Sequence, residues 1–101
     1  MSRFLSEDLE RCRERIDQLD LRLLEILNQR TAIVEEIGRI KQRLGLAIYE
    51  PKREEQVFAN VAAHNGGPLN DDAVKRIFER IIDEMRTLQH TKMVEQKSRE
   101  R

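Results

Sequence analysis

One apolar pattern runs from Leu9 to Leu44 and limits what this chain can fold into. Its positions lie seven residues apart, and all but one are aliphatic: Leu9, Ile16, Leu23, Arg30, Ile37 and Leu44. Seven residues at about 100° each return to within about 20° of the starting direction, so these side chains share one helix face. The stretch has no proline, and its first glycine is Gly38. We therefore predict one helix over residues 6–44, capped by Ser6 and ended by Gly45.

Such a helix is too long for a chain of 101 residues to cover. At about 1.5 Å per residue its length exceeds about 50 Å, whereas a globular chain of this size has a radius of gyration of about 13 Å. A second apolar row widens the surface that must be buried, and it consists of Cys12, Leu19, Ile26, Ile33 and Ile40. We expect a second copy to supply the missing cover, which predicts an obligate helical homodimer.

Two shorter helices complete the predicted all-α protomer. Pro51 suits the first position of a helix over residues 51–64, which should bury Val57, Phe58 and Val61. Residues 65–68, with sequence Asn-Gly-Gly-Pro, end that helix. Asn70 and the two aspartates after it predict the start of a third helix with an apolar stripe over residues 74–88. We place the domain at residues 1–91 and expect the charged residues 92–101 to be a frayed terminus or a linker.

The composition excludes several classes of function. Acidic and basic residues balance at 19 each, which removes the general attraction expected of a nucleic-acid-binding protein. No apolar run approaches the roughly 20 residues of a membrane span. The single cysteine, Cys12, excludes an internal disulfide framework and a cysteine-rich metal site. We expect a soluble, cytoplasmic protein with no nucleic-acid or membrane partner.

Three polar side chains lie where the apolar pattern calls for aliphatic ones. Arg30 occupies the heptad row, Lys41 follows eleven residues later at nearly the same azimuth, and Gln89 lies on the apolar face of the third helix. Arg30 alone could equally well fix the register of a helical dimer. Taken together, three donors of which two are cations favour a pocket for a small molecule that carries carboxylates.

Two further candidates have ordinary alternatives. Arg13 lies about 25 Å along the helix from Arg30, so it can reach the same small ligand only from a partner chain. Its alternative is a solvated surface arginine. Glu54 opens the second helix, where a carboxylate also complements the helix N-terminus.

The pattern of these residues resembles the all-helical AroQ class of chorismate mutases, and the match covers roughly residues 9–89. Besides the apolar positions, it is carried by Arg13, Asp20, Arg30, Gly38, Lys41, residues 49–55, Phe78 and Gln89. The resemblance implies an interlocked homodimer of three-helix protomers with two equivalent sites. Each site is then built mostly from one chain and completed by the long helix of the other.

The resemblance also implies catalytic roles. Lys41 and Gln89 match the pair that hydrogen-bonds the ether oxygen whose bond to carbon breaks. Arg30 matches the clamp on a substrate carboxylate within the chain, and Arg13 matches the arginine lent across the dimer. The implied reaction is the Claisen rearrangement of chorismate to prephenate in phenylalanine and tyrosine biosynthesis. It needs no cofactor and no metal.

The remaining site residues are also assigned by resemblance. Glu54 resembles the residue that holds the ring hydroxyl, and Arg53 belongs to the same wall. Glu50 stands where the family usually has aspartate. Met85 stands where some members have a small hydroxyl residue near a carboxylate, so one hydrogen bond to the substrate is expected to be missing.

Two other functions remain open. Isochorismate pyruvate lyase shares the fold and the arginine, lysine and glutamine set, but its pattern is apolar where this chain has Glu54. A non-catalytic domain that senses chorismate or prephenate would carry the same donors. A plain coiled-coil scaffold predicts apolar residues at positions 30, 41 and 89, and it fails there. Residues 64–68 also look like variants fused ahead of the first shikimate-pathway enzyme, so we expect fusion to, or association with, another enzyme of that pathway.

Overall fold

The computed structural model of the protein describes residues 2–100, without the side chains of residues 2–5, 96 and 100. These residues form three helices and no strand: α1 (Ser2–Leu44), α2 (Pro51–His64) and α3 (Asp71–Glu100). The predicted all-α, three-helix protomer is confirmed, and α2 has the predicted limits. The chain divides into two compact units, of which the first ends at Ile33 and the second begins at Val34.

The first unit consists of the N-terminal part of α1. The helix begins at Ser2, so the prediction that Ser6 caps it is wrong. Residues 3–5 contain neither glycine nor proline, and nothing in them prevents the helix from extending past Ser6. Both apolar rows lie largely in solvent here, and side chains such as Leu9, Ile16 and Leu23 are at least half exposed. Among the described residues, nothing covers the apolar stripe of this amphipathic segment.

The C-terminus of α1 is closed by a Schellman motif, as the glycine after it predicts. Gly45 has a left-handed backbone with φ of 68°. Its N–H donates to the Gln42 carbonyl at 3.3 Å, and the N–H of Leu46 donates to the Lys41 carbonyl at 2.8 Å. These two bonds satisfy terminal carbonyls of the helix and turn the chain into the loop over residues 45–50.

In the second unit, α2 packs against α3. Val74 and Ile82 on α3 are buried, whereas the three residues that we expect α2 to bury (Val57, Phe58 and Val61) are half-buried. Asn70 caps α3, because its side-chain oxygen accepts the N–H of Ala73 at 2.7 Å. The start of the third helix therefore follows from the sequence.

Helix α3 continues through Glu100, so residues 92–100 are helical rather than frayed. That the domain ends at residue 91 and a linker follows stays a prediction. The extension is rich in lysine, glutamate, glutamine and arginine, which are strong helix formers, and it contains no glycine or proline. Weak apolar periodicity is therefore no barrier to helix formation. No helix in the described part of the chain contains a stretch long and apolar enough to cross a membrane.

Candidate active site

Lys41 is a buried cation near the end of α1. The residue is only 8% exposed, and its Nζ lies 2.6 Å from Glu50 Oε1. The same ammonium donates to the Ile48 carbonyl at 2.9 Å. Both partners lie in the loop over residues 45–50, which follows the Schellman motif. A buried ammonium requires an anion and further acceptors, and this loop supplies them.

Gln89 reaches from α3 to the part of α1 that follows Ile33. Its Nε2 donates to the Val34 carbonyl at 3.1 Å. The side chain lies against Gly38, where an added Cβ would be 3.6 Å from Gln89 Cγ and 3.9 Å from Nε2. Because Gly38 has no side chain, the amide lies directly over the helix backbone. The glycine weakens the helix by its propensity, and a methyl group would fit here at ordinary contact distance, whereas a larger side chain would meet Gln89.

Glu54 is held by an arginine that the sequence did not single out. Arg86 on α3 donates through Nη2 to both carboxylate oxygens of Glu54, at 3.0 and 2.9 Å. Its guanidinium also lies 5.0 Å from the centroid of the Tyr49 ring. Glu54 therefore does more than complement the N-terminus of α2. The only signal for Arg86 was a cation three residues before Gln89, and the sequence does not show that α2 places a carboxylate opposite it.

Two other candidate residues of the second unit are Arg53 on α2 and Met85 on α3. Arg53 is exposed and points to Gln56, with Nη1 3.4 Å from the side-chain oxygen of that residue. Met85 is half-buried on α3. Beside Gln89 lies a cleft of about 190 Å³, whose lining includes Gly38, Ile48 and Lys92. Of the candidate site residues in the described part of the chain, Gln89 alone lines this cleft.

The two candidate arginines of the first unit differ in burial. Arg30 is half-buried, as expected for a cation placed within an apolar row. Arg13 is exposed, and its Nη1 lies 2.7 Å from Glu10 Oε1 one turn earlier. Within one chain, Arg13 is thus a surface arginine in an i, i+3 pair. That Arg13 completes the site of a partner chain stays a prediction.

Comparison with known proteins identifies the family of this chain. The fold is an all-α protomer, and its second unit contains Lys41, Glu54 and Gln89 on three different helices, with Lys41 buried and the other two half-buried. The model of the family "Chorismate mutase type II" matches residues 12–90, and this chain belongs to that family. The family assignment made from the sequence is therefore confirmed.

Individual relatives extend the comparison. The chain is 34% identical over 80 residues to the bifunctional chorismate mutase/prephenate dehydratase of Aquifex aeolicus, matching 75% of this chain. It covers only 22% of that relative's length. The chorismate mutase of Methanocaldococcus jannaschii is 26% identical, and the match covers 82% of this chain and 85% of that one. A solved structure of chorismate mutase from Thermus thermophilus superposes with a TM-score of 0.80 at 34% identity, over 81% of this chain and 93% of that one.

Proposed function

We propose that this chain is a chorismate mutase that converts chorismate to prephenate in phenylalanine and tyrosine biosynthesis. The observation that carries the proposal is the buried ammonium of Lys41, already fixed by two acceptors. Gln89 adds a second fixed donor, on the side of α3 that reaches α1. Membership of the chorismate mutase type II family supports the assignment.

Both donors retain capacity for a ligand. The ammonium of Lys41 has three N–H groups, and Glu50 and the Ile48 carbonyl accept two of them. The amide of Gln89 has two N–H groups, and the Val34 carbonyl accepts one. One N–H of each side chain is therefore available for the ether oxygen of the substrate. Because the protein fixes these donors before substrate binds, little reorganisation is needed during the reaction.

The proposed reaction makes modest chemical demands. Within one molecule the ether C–O bond breaks while a new C–C bond forms, and the electron pairs move in a ring without a proton transfer. Negative charge grows on the ether oxygen, where Lys41 and Gln89 stabilise it. One well-placed donor of this kind contributes about 3 to 4 kcal/mol. The rest of the site must hold the enolpyruvyl arm over the ring.

The remaining roles concern binding. Arg30 is the proposed clamp on one substrate carboxylate, and Arg13 of a second copy binds the other. Glu54, held in place by Arg86, can still accept a hydrogen bond from the ring hydroxyl, since a carboxylate has about four lone-pair sites. The neighbouring positions of the site are Glu50, Arg53 and Met85.

The proposed active form is an interlocked homodimer. The apolar rows of α1 are uncovered, with Leu19, Ile26 and Ile33 each more than half exposed. A second copy is the proposed occupant, because it presents the same long stripe and also brings Arg13. Sedimentation equilibrium should give twice the 12.0 kDa mass of the chain across the micromolar range. A monomer of intact helicity would exclude the shared site.

The cellular setting is also a proposal. The bifunctional relative from Aquifex aeolicus carries much more sequence than this domain, as its name and the 22% coverage indicate. We propose that this chain is likewise fused to, or associates with, another shikimate-pathway enzyme. The single cysteine fits a reducing cytoplasm, which is the proposed location.

Product identification tests the function. Purified protein is incubated separately with chorismate and isochorismate, and the products are identified by mass spectrometry and chromatography. We expect prephenate from chorismate and no product from isochorismate. Salicylate plus pyruvate from isochorismate would identify the lyase instead. Binding of chorismate without turnover would identify a sensor domain and overturn the proposal.

A further inference from the structure

Arg86 ties together three segments of the second unit. It projects from α3, its Nη2 contacts both oxygens of Glu54 on α2, and its guanidinium lies 5.0 Å from the centroid of the Tyr49 ring in the loop before α2. The same Nη2 also lies 3.3 Å from Asp83 Oδ1, one turn earlier on α3. Glu54 and Arg86 are shielded, with side chains 23% and 36% exposed. The pair is therefore less screened by solvent than ordinary surface ion pairs.

The hydrogen bonding of Arg86 is less complete than stability of the folded state alone would favour. Arg86 Nε is enclosed and has no acceptor in the described part of the chain. A buried donor without a partner destabilises the folded state and calls for an explanation. The hydrogen bonds from the guanidinium to Glu54 and Asp83 all leave through one nitrogen, Nη2. Its orientation therefore favours the contact with Glu54 over full pairing of its own donors.

The contact changes what Glu54 presents to a ligand. A glutamate without a partner would sample several rotamers and carry a full negative charge near a substrate that bears two carboxylates. Arg86 holds the carboxylate in one position and offsets its charge. Both effects favour binding of an anionic ligand whose hydroxyl reaches Glu54.

We infer that Arg86 is a positioning residue that orients and neutralises Glu54 for the ring hydroxyl of the substrate. This inference rests on the proposed function. Arg86 acts through Glu54 and does not contact the breaking bond. Its loss should therefore affect ground state and transition state alike, which raises KM with little change in kcat.

Steady-state kinetics of matched variants test the inference. In Arg86→Met we expect KM for chorismate to rise about tenfold or more, because the loss of one hydrogen bond to a charged group lowers affinity by about that factor. The value of kcat should change less than about threefold. Arg86→Lys keeps the charge and should recover part of the loss. Arg80→Met is the control, because Arg80 lies on the same helix and pairs with Glu84 at 2.8 Å with its side chain 77% exposed. This control should keep the wild-type KM.

A double variant separates positioning from mere structural support. Adding Glu54→Gln to Arg86→Met removes the uncompensated charge, so KM should fall again relative to Arg86→Met alone. A structural role predicts no such rescue. An unchanged KM in Arg86→Met, or no rescue in the double variant, with an active wild type, overturns the inference alone. If Arg86→Met does not fold, Arg86→Lys decides: a KM above that of the wild type is expected, and an unchanged KM overturns the inference. No prephenate from the wild type overturns the proposed function and this inference with it.

Discussion

Replacement of Lys41 by methionine separates catalysis from folding. Methionine is unbranched and of similar length, so it can fill the buried position without a charge. The variant loses one donor to the ether oxygen, which corresponds to about 3 to 4 kcal/mol of transition-state stabilisation. Since each 1.36 kcal/mol is a factor of ten, we expect kcat to fall by roughly 10² to 10³.

The same change should cost little stability. Lys41 is 10% exposed at its side chain, but its partner Glu50 is 51% exposed and can turn into water when the ammonium is removed. After allowance for solvent screening, the ion pair contributes about 1 kcal/mol or less. The free energy of unfolding should therefore stay within about 1 kcal/mol of wild type, since burial of methionine offsets part of the loss.

The assay combines chorismate consumption with urea unfolding followed by circular dichroism. Lys97→Met is the matched control, because Lys97 is an exposed lysine near the end of α3. It should match the wild type in both measurements. A Lys41→Met enzyme within about threefold of wild-type kcat would refute the role of Lys41 as the donor to the ether oxygen. Unfolding of Lys41→Met would refute the expectation that Glu50 turns into water when the ammonium is removed.

Four further substitutions, at three positions, follow from the same account. Arg30→Ala should abolish most turnover, measured by kinetics, and leave the proposed dimer intact, measured by sedimentation. Near-normal rates would contradict the role of Arg30 in binding a substrate carboxylate. Gly38→Ala should raise the free energy of unfolding by up to about 1 kcal/mol and keep turnover, because its methyl would sit at an ordinary 3.6 Å from Gln89 Cγ. Gly38→Leu should displace Gln89 and lower kcat, and equal kcat in both variants would argue against this packing. Met85→Ser should lower KM several-fold by restoring one hydrogen bond of about 1 kcal/mol, and an unchanged KM would count against that contact.

Local signals in the sequence were sufficient for most of the fold. Pro51 and the Asn-Gly-Gly-Pro segment set the limits of α2, and Asn70 set the start of α3. Gly45 ended α1 because only a residue that tolerates positive φ closes a Schellman motif without strain. These features depend on neighbours within a few residues, so they can be read without knowledge of tertiary contacts.

The ends of the long helices were less predictable. Ser6 is a good cap, but a cap residue does not force a helix to begin when the preceding residues are also helix formers. Likewise, residues 92–100 form helix without a strongly periodic apolar face. Periodicity reports burial, and it is therefore a weak signal where a helix is mostly exposed.

The site was only partly visible in the sequence. Lys41 and Gln89 stood out because they interrupt apolar faces, and the structure gives each of them fixed partners. Arg86 broke no pattern of comparable strength, and its role depends on Glu54, 32 residues earlier in the chain. The contact of Gln89 with Gly38 also depends on the approach of α3 to the part of α1 that follows Ile33. Contacts between elements such as these cannot be deduced from spacing.

The proposed chorismate mutase site is completed by a second chain, and a mixed dimer of two variants tests this sharing. Two variants, Arg13→Ala and Arg30→Ala, are co-expressed with different tags, and the mixed dimer is purified through both tags. In that dimer one site keeps both arginines and the other has neither, so prephenate formation should be about half that of wild type. Each variant alone should be nearly inactive. A mixed dimer no more active than the two separate variants would contradict the shared site.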